Sequence, residues 1–211
     1  MKTILHIGCG YSSLKNLPQY FQSGEWDEIR VDIDEAVKPD IVASLQDLSV
    51  FEDGSIDVIY SSHNIEHIWA YEVPGVLAEF ERVLSAKGVA VVLCPDLASV
   101  AQGILNGRPD DVLYESPAGP ISAIDVLYGF GADLARGRHY MAHKTGFTAP
   151  MLAEALLNAG FSSALVARDR FYGLHSAAFK GSWTIDEAQQ WGGNIFPSAE
   201  NVLEAQIFQA G

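Results

Sequence analysis

The chain has 211 residues, 48% hydrophobic and 19% charged, the composition of a globular protein long enough to bury a core without disulfide staples. Its 13 basic residues against 27 acidic ones leave a net charge of −14, the wrong sign for gripping a nucleic-acid backbone. The longest apolar run, residues 89–94, is far short of a membrane span, so a transmembrane protein is excluded and neither nucleic acid nor membrane is an expected partner.

The first 94 residues alternate short apolar runs with longer amphipathic ones, the pattern of a parallel sheet covered by helices. Strands are expected at 3–7, 29–33, 41–43, 56–60 and 89–94. His6 interrupts an opening apolar stretch that is too short for a signal segment, which points to a cytoplasmic protein. The two cysteines, Cys9 and Cys94, make neither a disulfide framework nor a thiolate metal site. At the end of the first strand stands Leu5-His6-Ile7-Gly8-Cys9-Gly10, where glycines let the main chain turn sharply and a nucleotide-like ligand come close. Asp32 and Ile33 close the second strand, where a carboxylate can accept hydrogen bonds from ribose hydroxyls.

Val73, Val76, Leu77, Phe80, Val83 and Leu84 recur at helical spacing, with Lys87-Gly88 as a stop. Residues 95–147 carry glycine and proline punctuation and weak periodicity, and a segment this long between sheet elements is expected to be a lid or binding insertion. A second helix is predicted over 148–158, opened by a capping Thr148 with Pro150 in its first turn and closed by Gly160. Two apolar runs, 164–167 and 174–179, follow as an antiparallel pair turning near Tyr172-Gly173. The tail, 181–211, is expected to be helical: Thr184 to Glu187 fits a capping box, and Val202, Ile207 and Phe208 suggest a further short helix. Its Trp183 and Trp191 are suited to docking on the core or on a second subunit, which leaves a homodimer open.

The succession IGCG (7–10), VDID (31–34), DLSVFEDGSIDVIYSSHNIEHI (47–68), EFERVLSAKG (79–88), VAVVLCPDL (89–97) and AEALLNAGF (153–161) resembles the class I S-adenosylmethionine-dependent methyltransferases, type 11 group, over residues 3–180. The resemblance implies an α/β, three-layer Rossmann-like methyltransferase fold with helices on both faces of a mostly parallel seven-stranded sheet, order 3-2-1-4-5-7-6, the seventh strand antiparallel. It implies a methyltransferase domain over 1–180 and S-adenosyl-L-methionine as cofactor. Carried onto this sequence, it gives Gly8, Cys9 and Gly10 the methionine part and ribose, Asp32 with Ile33 the ribose, and Asp47 with Leu48 the adenine. Ser61, Ser62 and His63 fall near the methyl group. The chain departs from the family pattern at His6, where an acid usually organises the glycine loop or the cofactor ammonium, and at Ser12, near which a third glycine is usual. His6 is a candidate to take over that contact.

Should a general base be needed, His63 and His143 are the candidates, because imidazole titrates near neutral pH. His63/His67 and His139/His143 each have the spacing of a helical zinc pair, but neither carries the acid of the protease motif, and no metal is expected. Arg136, Arg138, His139, His143 and Lys144 form a basic cluster, either a solvated face or an anion-recognition patch for the acceptor. Tyr114, Tyr128, Phe130 and Tyr140 are candidates to wall an acceptor pocket. The expected function is methyl transfer to a small or medium polar acceptor, a small molecule or a glycan-like one, anionic if the basic cluster reads it. The alternative is a non-catalytic Rossmann-like ligand-binding or assembly subunit. A nicotinamide dehydrogenase is disfavoured because the glycine loop lacks G-x-G-x-x-G spacing at Ser13, and neither a serine-hydrolase elbow nor a P-loop occurs.

Overall fold

The computed structural model describes residues 1–116, 118–196 and 201–210. The first half lays down β1 (Lys2–Ile7), β2 (Trp26–Asp32), β3 (Ile41–Val42), β4 (Ile56–Ser62), helix α1 (Val73–Val83) and β5 (Leu84–Pro95). An insertion follows with α2 (Leu97–Asn106), the hairpin β6 (Val112–Ser116) and β7 (Gly119–Ser122), α3 (Ala123–Tyr128) and α4 (Gly131–Ala135). The chain then returns through α5 (Ala149–Asn158), β8 (Ser163–Asp169), β9 (Gly173–Phe179), α6 (Ile185–Gly193) and β10 (Val202–Gln209).

Eight strands form the main sheet in the order β3-β2-β1-β4-β5-β9-β8-β10. The first five are mutually parallel, and β9 runs antiparallel between β5 and β8. This is the expected Rossmann-like order with one correction: the sheet has an eighth strand, because residues 202–209 pair antiparallel with β8 instead of forming a helix. The reason is visible in adjacent side chains. Phe208 packs against the cluster on one face of the sheet and Ile207 against the cluster on the other, the alternation of a strand. Within the tail 181–211, residues 197–200 and 211 lie outside the described residues.

One face is covered by α1 and α5, whose stripes Val76, Leu77, Phe80 and Leu152, Leu156 are buried against the strands. Covering both faces explains why strands such as β1 and β5 read as apolar runs. The helix α1 ends at Val83 rather than at Lys87-Gly88, since β5 begins at once with Leu84 and takes the expected stop into the strand. The second face carries α6 and two short 3-10 turns (Leu14–Asn16 and Gln19–Gln22), with Phe21, Trp183 and Trp191 packed into that layer. Trp191 lies 5.9 Å from the Phe179 ring and 5.9 Å from Tyr20, so the tail tryptophans are accounted for by their own core. The expected capping box at Thr184 and Glu187 opens α6, whereas Thr148 holds the N-cap position of α5 without a side-chain hydrogen bond.

The insertion has a small core of its own, Val100, Ile121, Ala123 and Val126. No helix of the described residues is long and apolar enough to cross a membrane.

Candidate active site

The site starts from the turn after β1. Gly8 and Gly10 take left-handed backbone at φ 63° and 52°, a region costly for residues with a Cβ. At Gly8 the requirement is double, for a Cβ there would stand 1.8 Å from Asn64 Oδ1. Asn64, the second residue after β4, is fixed over the turn by its amide, which donates to the carbonyls of Ile7 (2.9 Å) and Ser62 (3.0 Å).

Charged side chains of β2 hold the rest of the loop. Asp32 Oδ2 accepts from Gly10 N at 2.8 Å and Oδ1 from Asp34 N at 2.9 Å, leaving a second lone pair on each oxygen. Arg30 donates to the carbonyls of Gly10 (2.8 Å) and Ser12 (3.0 Å). His6, buried under the loop, has Nδ1 2.8 Å from Glu28 Oε1, while Glu28 Oε2 accepts from Leu14 N at 3.0 Å. Burial pushes the His6 pKa down despite the neighbouring carboxylate. A carboxylate one strand away therefore anchors the loop at the place where His6 replaces the usual acid.

A cavity of about 450 Å³ opens at the carboxyl ends of β1, β2 and β4, the crevice where open α/β sheets bind ligands. Of the residues expected there, Gly8, Gly10, Asp32, Ile33, Ser62 and His63 line it. His6, Cys9 and Ser61 do not: all three are buried behind the turn, and Ser61 Oγ lies 3.3 Å from the Asn64 amide. Nor do Asp47 and Leu48. Leu48 is a core residue, and the exposed Asp47 closes its own turn by accepting from Ser49 N at 3.1 Å, so the wall at this point is made by residues 43–46.

The opposite wall comes from the segment after β4 and from the insertion, through His67, Trp69, Tyr140, Met141 and Lys144. Tyr140 donates to Asp34 Oδ2 at 3.3 Å, and the Lys144 ammonium stands 5.7 Å from the centroid of the Trp69 ring. His63 takes left-handed backbone at φ 54°, strain of a kind that gathers at functional sites. Its Nδ1 is 3.2 Å from Oε1 of the buried Glu66. Burial opposes the imidazolium, but the hydrogen bond to Glu66 and its charge prevail and raise the His63 pKa.

Three expectations on this side need correction. Neither histidine pair shares a helix face: His67 ends a 3-10 turn (Ile65–His67), and His139 begins another from which His143 is separate. The structure instead brings His67 and His143 together, ring centroids 4.9 Å apart, and His143 is not among the cavity-lining residues. In the basic cluster, Arg136 and Arg138 point to solvent and share Asp133, at 3.1 and 3.5 Å, leaving Lys144 as its member at the cavity. Among the four aromatic candidates Tyr140 lines the cavity, whereas Tyr114 stacks on Tyr172, Phe130 packs in the insertion core and Tyr128 is exposed.

Residues 5–92 match the family model of a methyltransferase domain. No curated protein matches the chain significantly in sequence. Among solved structures, the fold is similar to the 1,6-didemethyltoxoflavin-N1-methyltransferase of Burkholderia thailandensis, solved with 1,6-didemethyltoxoflavin and S-adenosylhomocysteine bound. That likeness has TM-score 0.55 and 15% identity, over 85% of this chain and 71% of that one. It is similar as well to an S-adenosylmethionine-dependent methyltransferase from Archaeoglobus fulgidus (TM-score 0.57, 13% identity, 85% and 86% covered) and to one from Methanosarcina mazei (TM-score 0.55, 17% identity, 86% and 93% covered). Residues 5–92 thus resemble a methyltransferase domain, and the chain has the Rossmann-like fold of the S-adenosylmethionine-dependent methyltransferases to which it is similar.

Proposed function

We propose that the chain transfers a methyl group from S-adenosylmethionine to a small or medium polar acceptor, with both bound in the cavity between the glycine turn and the insertion. The observation that carries this reading is that Gly8, Gly10 and Asp32 line one cavity, with both glycines in left-handed backbone and Asn64 leaving no room for a side chain at Gly8. These residues fit the cofactor: a bare main-chain turn admits its close approach, and the Asp32 carboxylate retains acceptor capacity for ribose hydroxyls.

When bound, the cofactor supplies an activated methyl on a positively charged sulfur. The protein's task is then to align the acceptor and to exclude water. Tyr140 and Met141 of the insertion take the excluding role at the cavity wall, and Lys144 offers a cation to an anionic acceptor. His63, solvent-accessible within the cavity and braced by Glu66, is positioned to take a proton from an acceptor hydroxyl or amine. His6, Cys9, Ser61, Asp47 and Leu48 act from behind the lining, by holding the turn and the wall.

Titration calorimetry with S-adenosylhomocysteine tests the reading. A single site per chain is expected. No heat and no thermal shift at saturating ligand would refute it.

A further inference from the structure

Glu66 Oε2 is the one buried side-chain nitrogen or oxygen among the described residues that has no hydrogen-bond partner, in a residue only 1% exposed. Such an atom is costly in the interior unless a proton or a cation meets it. Two imidazoles stand beside it: a ligand-capable atom of Glu66, one of His67 and one of His143 all lie within 4.8 Å of one another.

The backbone fixes how both rings present themselves. His67 Nδ1 is 3.2 Å from the Ala142 carbonyl, and His143 Nδ1 is 2.7 Å from the Val126 carbonyl. A carbonyl oxygen only accepts, so each Nδ1 carries the proton and each Nε2 the lone pair. Metal-binding histidines are held in this way, with the second ring nitrogen donated to a carbonyl. The carboxylate is oriented too, since His63 Nδ1 engages Oε1 and leaves Oε2 to the pair. The segments that meet here are tied by main-chain hydrogen bonds: Lys144 N donates to Glu66 O at 2.8 Å and His143 N to Tyr128 O at 3.1 Å.

From this cluster we propose that the chain binds one divalent transition-metal ion, zinc or a neighbouring first-row ion, through Glu66 Oε2, His67 Nε2 and His143 Nε2. Two neutral imidazoles and a carboxylate are a ligand set that such ions accept while keeping a position open. Because His67 also lines the cavity, that position communicates with it and takes an oxygen ligand such as an acceptor hydroxyl or carboxylate. The acceptor contact rests on the methyl-transfer reading; ion binding does not.

The test uses the full chain, stripped with a chelator and dialysed against Zn²⁺ or Co²⁺. One ion per chain is expected by elemental analysis, and Co²⁺ should give a visible d–d spectrum that changes when acetohydroxamate is added. Glu66→Gln, His67→Gln and His143→Gln should each weaken the ion by about 10- to 100-fold or more, with the circular dichroism unchanged. Should a variant not fold, the parent still decides: bound ion should protect His67 and His143 from acylation by diethyl pyrocarbonate, read on their peptides. No stoichiometric ion in the folded parent, full binding in folded variants, or unprotected histidines with ion bound would each overturn the site. A Co²⁺ spectrum indifferent to acetohydroxamate would overturn the open position. Ion binding without S-adenosylhomocysteine binding would leave the site standing and remove the methyl-transfer reading instead.

Discussion

Replacing Gly8 by alanine probes the turn on which the cavity depends. The new Cβ meets two costs: left-handed backbone, about 1 kcal/mol, and Asn64, whose Oδ1 lies 1.8 Å from where the methyl would stand. Asn64 must move, and its two N–H groups then lose the carbonyls of Ile7 and Ser62, worth about 1 kcal/mol each. The expected destabilisation is about 3 kcal/mol in all. Asn64→Ala alone should cost about 2 kcal/mol, because it gives up the same two hydrogen bonds without strain in the turn. In the double variant those bonds are lost only once and the clash is gone, so it should also fall near 3 kcal/mol, short of the sum by about 2 kcal/mol. Urea unfolding of the four proteins measures this coupling. Strict additivity, or a Gly8→Ala protein within about 1 kcal/mol of the parent, would refute the account of the turn.

Asp32→Ala should lower affinity for S-adenosylhomocysteine about tenfold or more by calorimetry, the loss of one or two hydrogen bonds to a charged acceptor; Asp32→Asn should fall between it and the parent. Lys144→Ala should weaken turnover of an anionic acceptor while Arg136→Ala with Arg138→Ala leaves it unchanged, since the two arginines are engaged with Asp133 in solvent. Steady-state kinetics with one acceptor separates the two sets. Asp169 is held below the ordinary carboxylate value of 3.8: burial pushes it up, but the hydrogen bond from His175 and those from the backbone of Gly173 and Phe171 outweigh burial. Its stabilising contribution is therefore present above 3.8 and lost as pH falls through the lower folded value. Acid unfolding should be less steep below 3.8 in Asp169→Asn than in the parent.

The central strands β1, β4 and β5 were legible because they are buried on both faces and read as apolar runs, and α1 because its apolar stripe faces one layer. The insertion was not, since its helices and strands run only four to ten residues, too short for a period to emerge. The tail strand was misread because Ile207 and Phe208 are adjacent, and only their burial against different faces shows the alternation. At the site, the residues legible in the sequence were those that touch the cavity through backbone geometry or a strand-end carboxylate. Those missed act through partners distant in sequence. Arg30 and Glu28 hold a loop that precedes them, and Asn64 sits over a glycine 56 positions away and reaches 57 positions back to the Ile7 carbonyl. A glutamate between two buried isoleucine positions, Ile65-Glu66-His67-Ile68, was the local sign that Glu66 is interior.

The strand β10 changes how this molecule can associate. Without it, β8 would end the sheet with Ala164-Leu165-Val166-Ala167 offering unpaired amides and carbonyls, a template for strand addition by another chain. With it, the outermost strand has an irregular register between Val202 and Glu204 and shows Glu204 and Gln206 to solvent, with Glu204 3.5 Å from Arg168. At the far end of the sheet β3 is two residues long, too brief to nucleate a ladder. At both borders of the sheet, then, short or irregular edges with charged and polar side chains work against edge-to-edge growth by another chain.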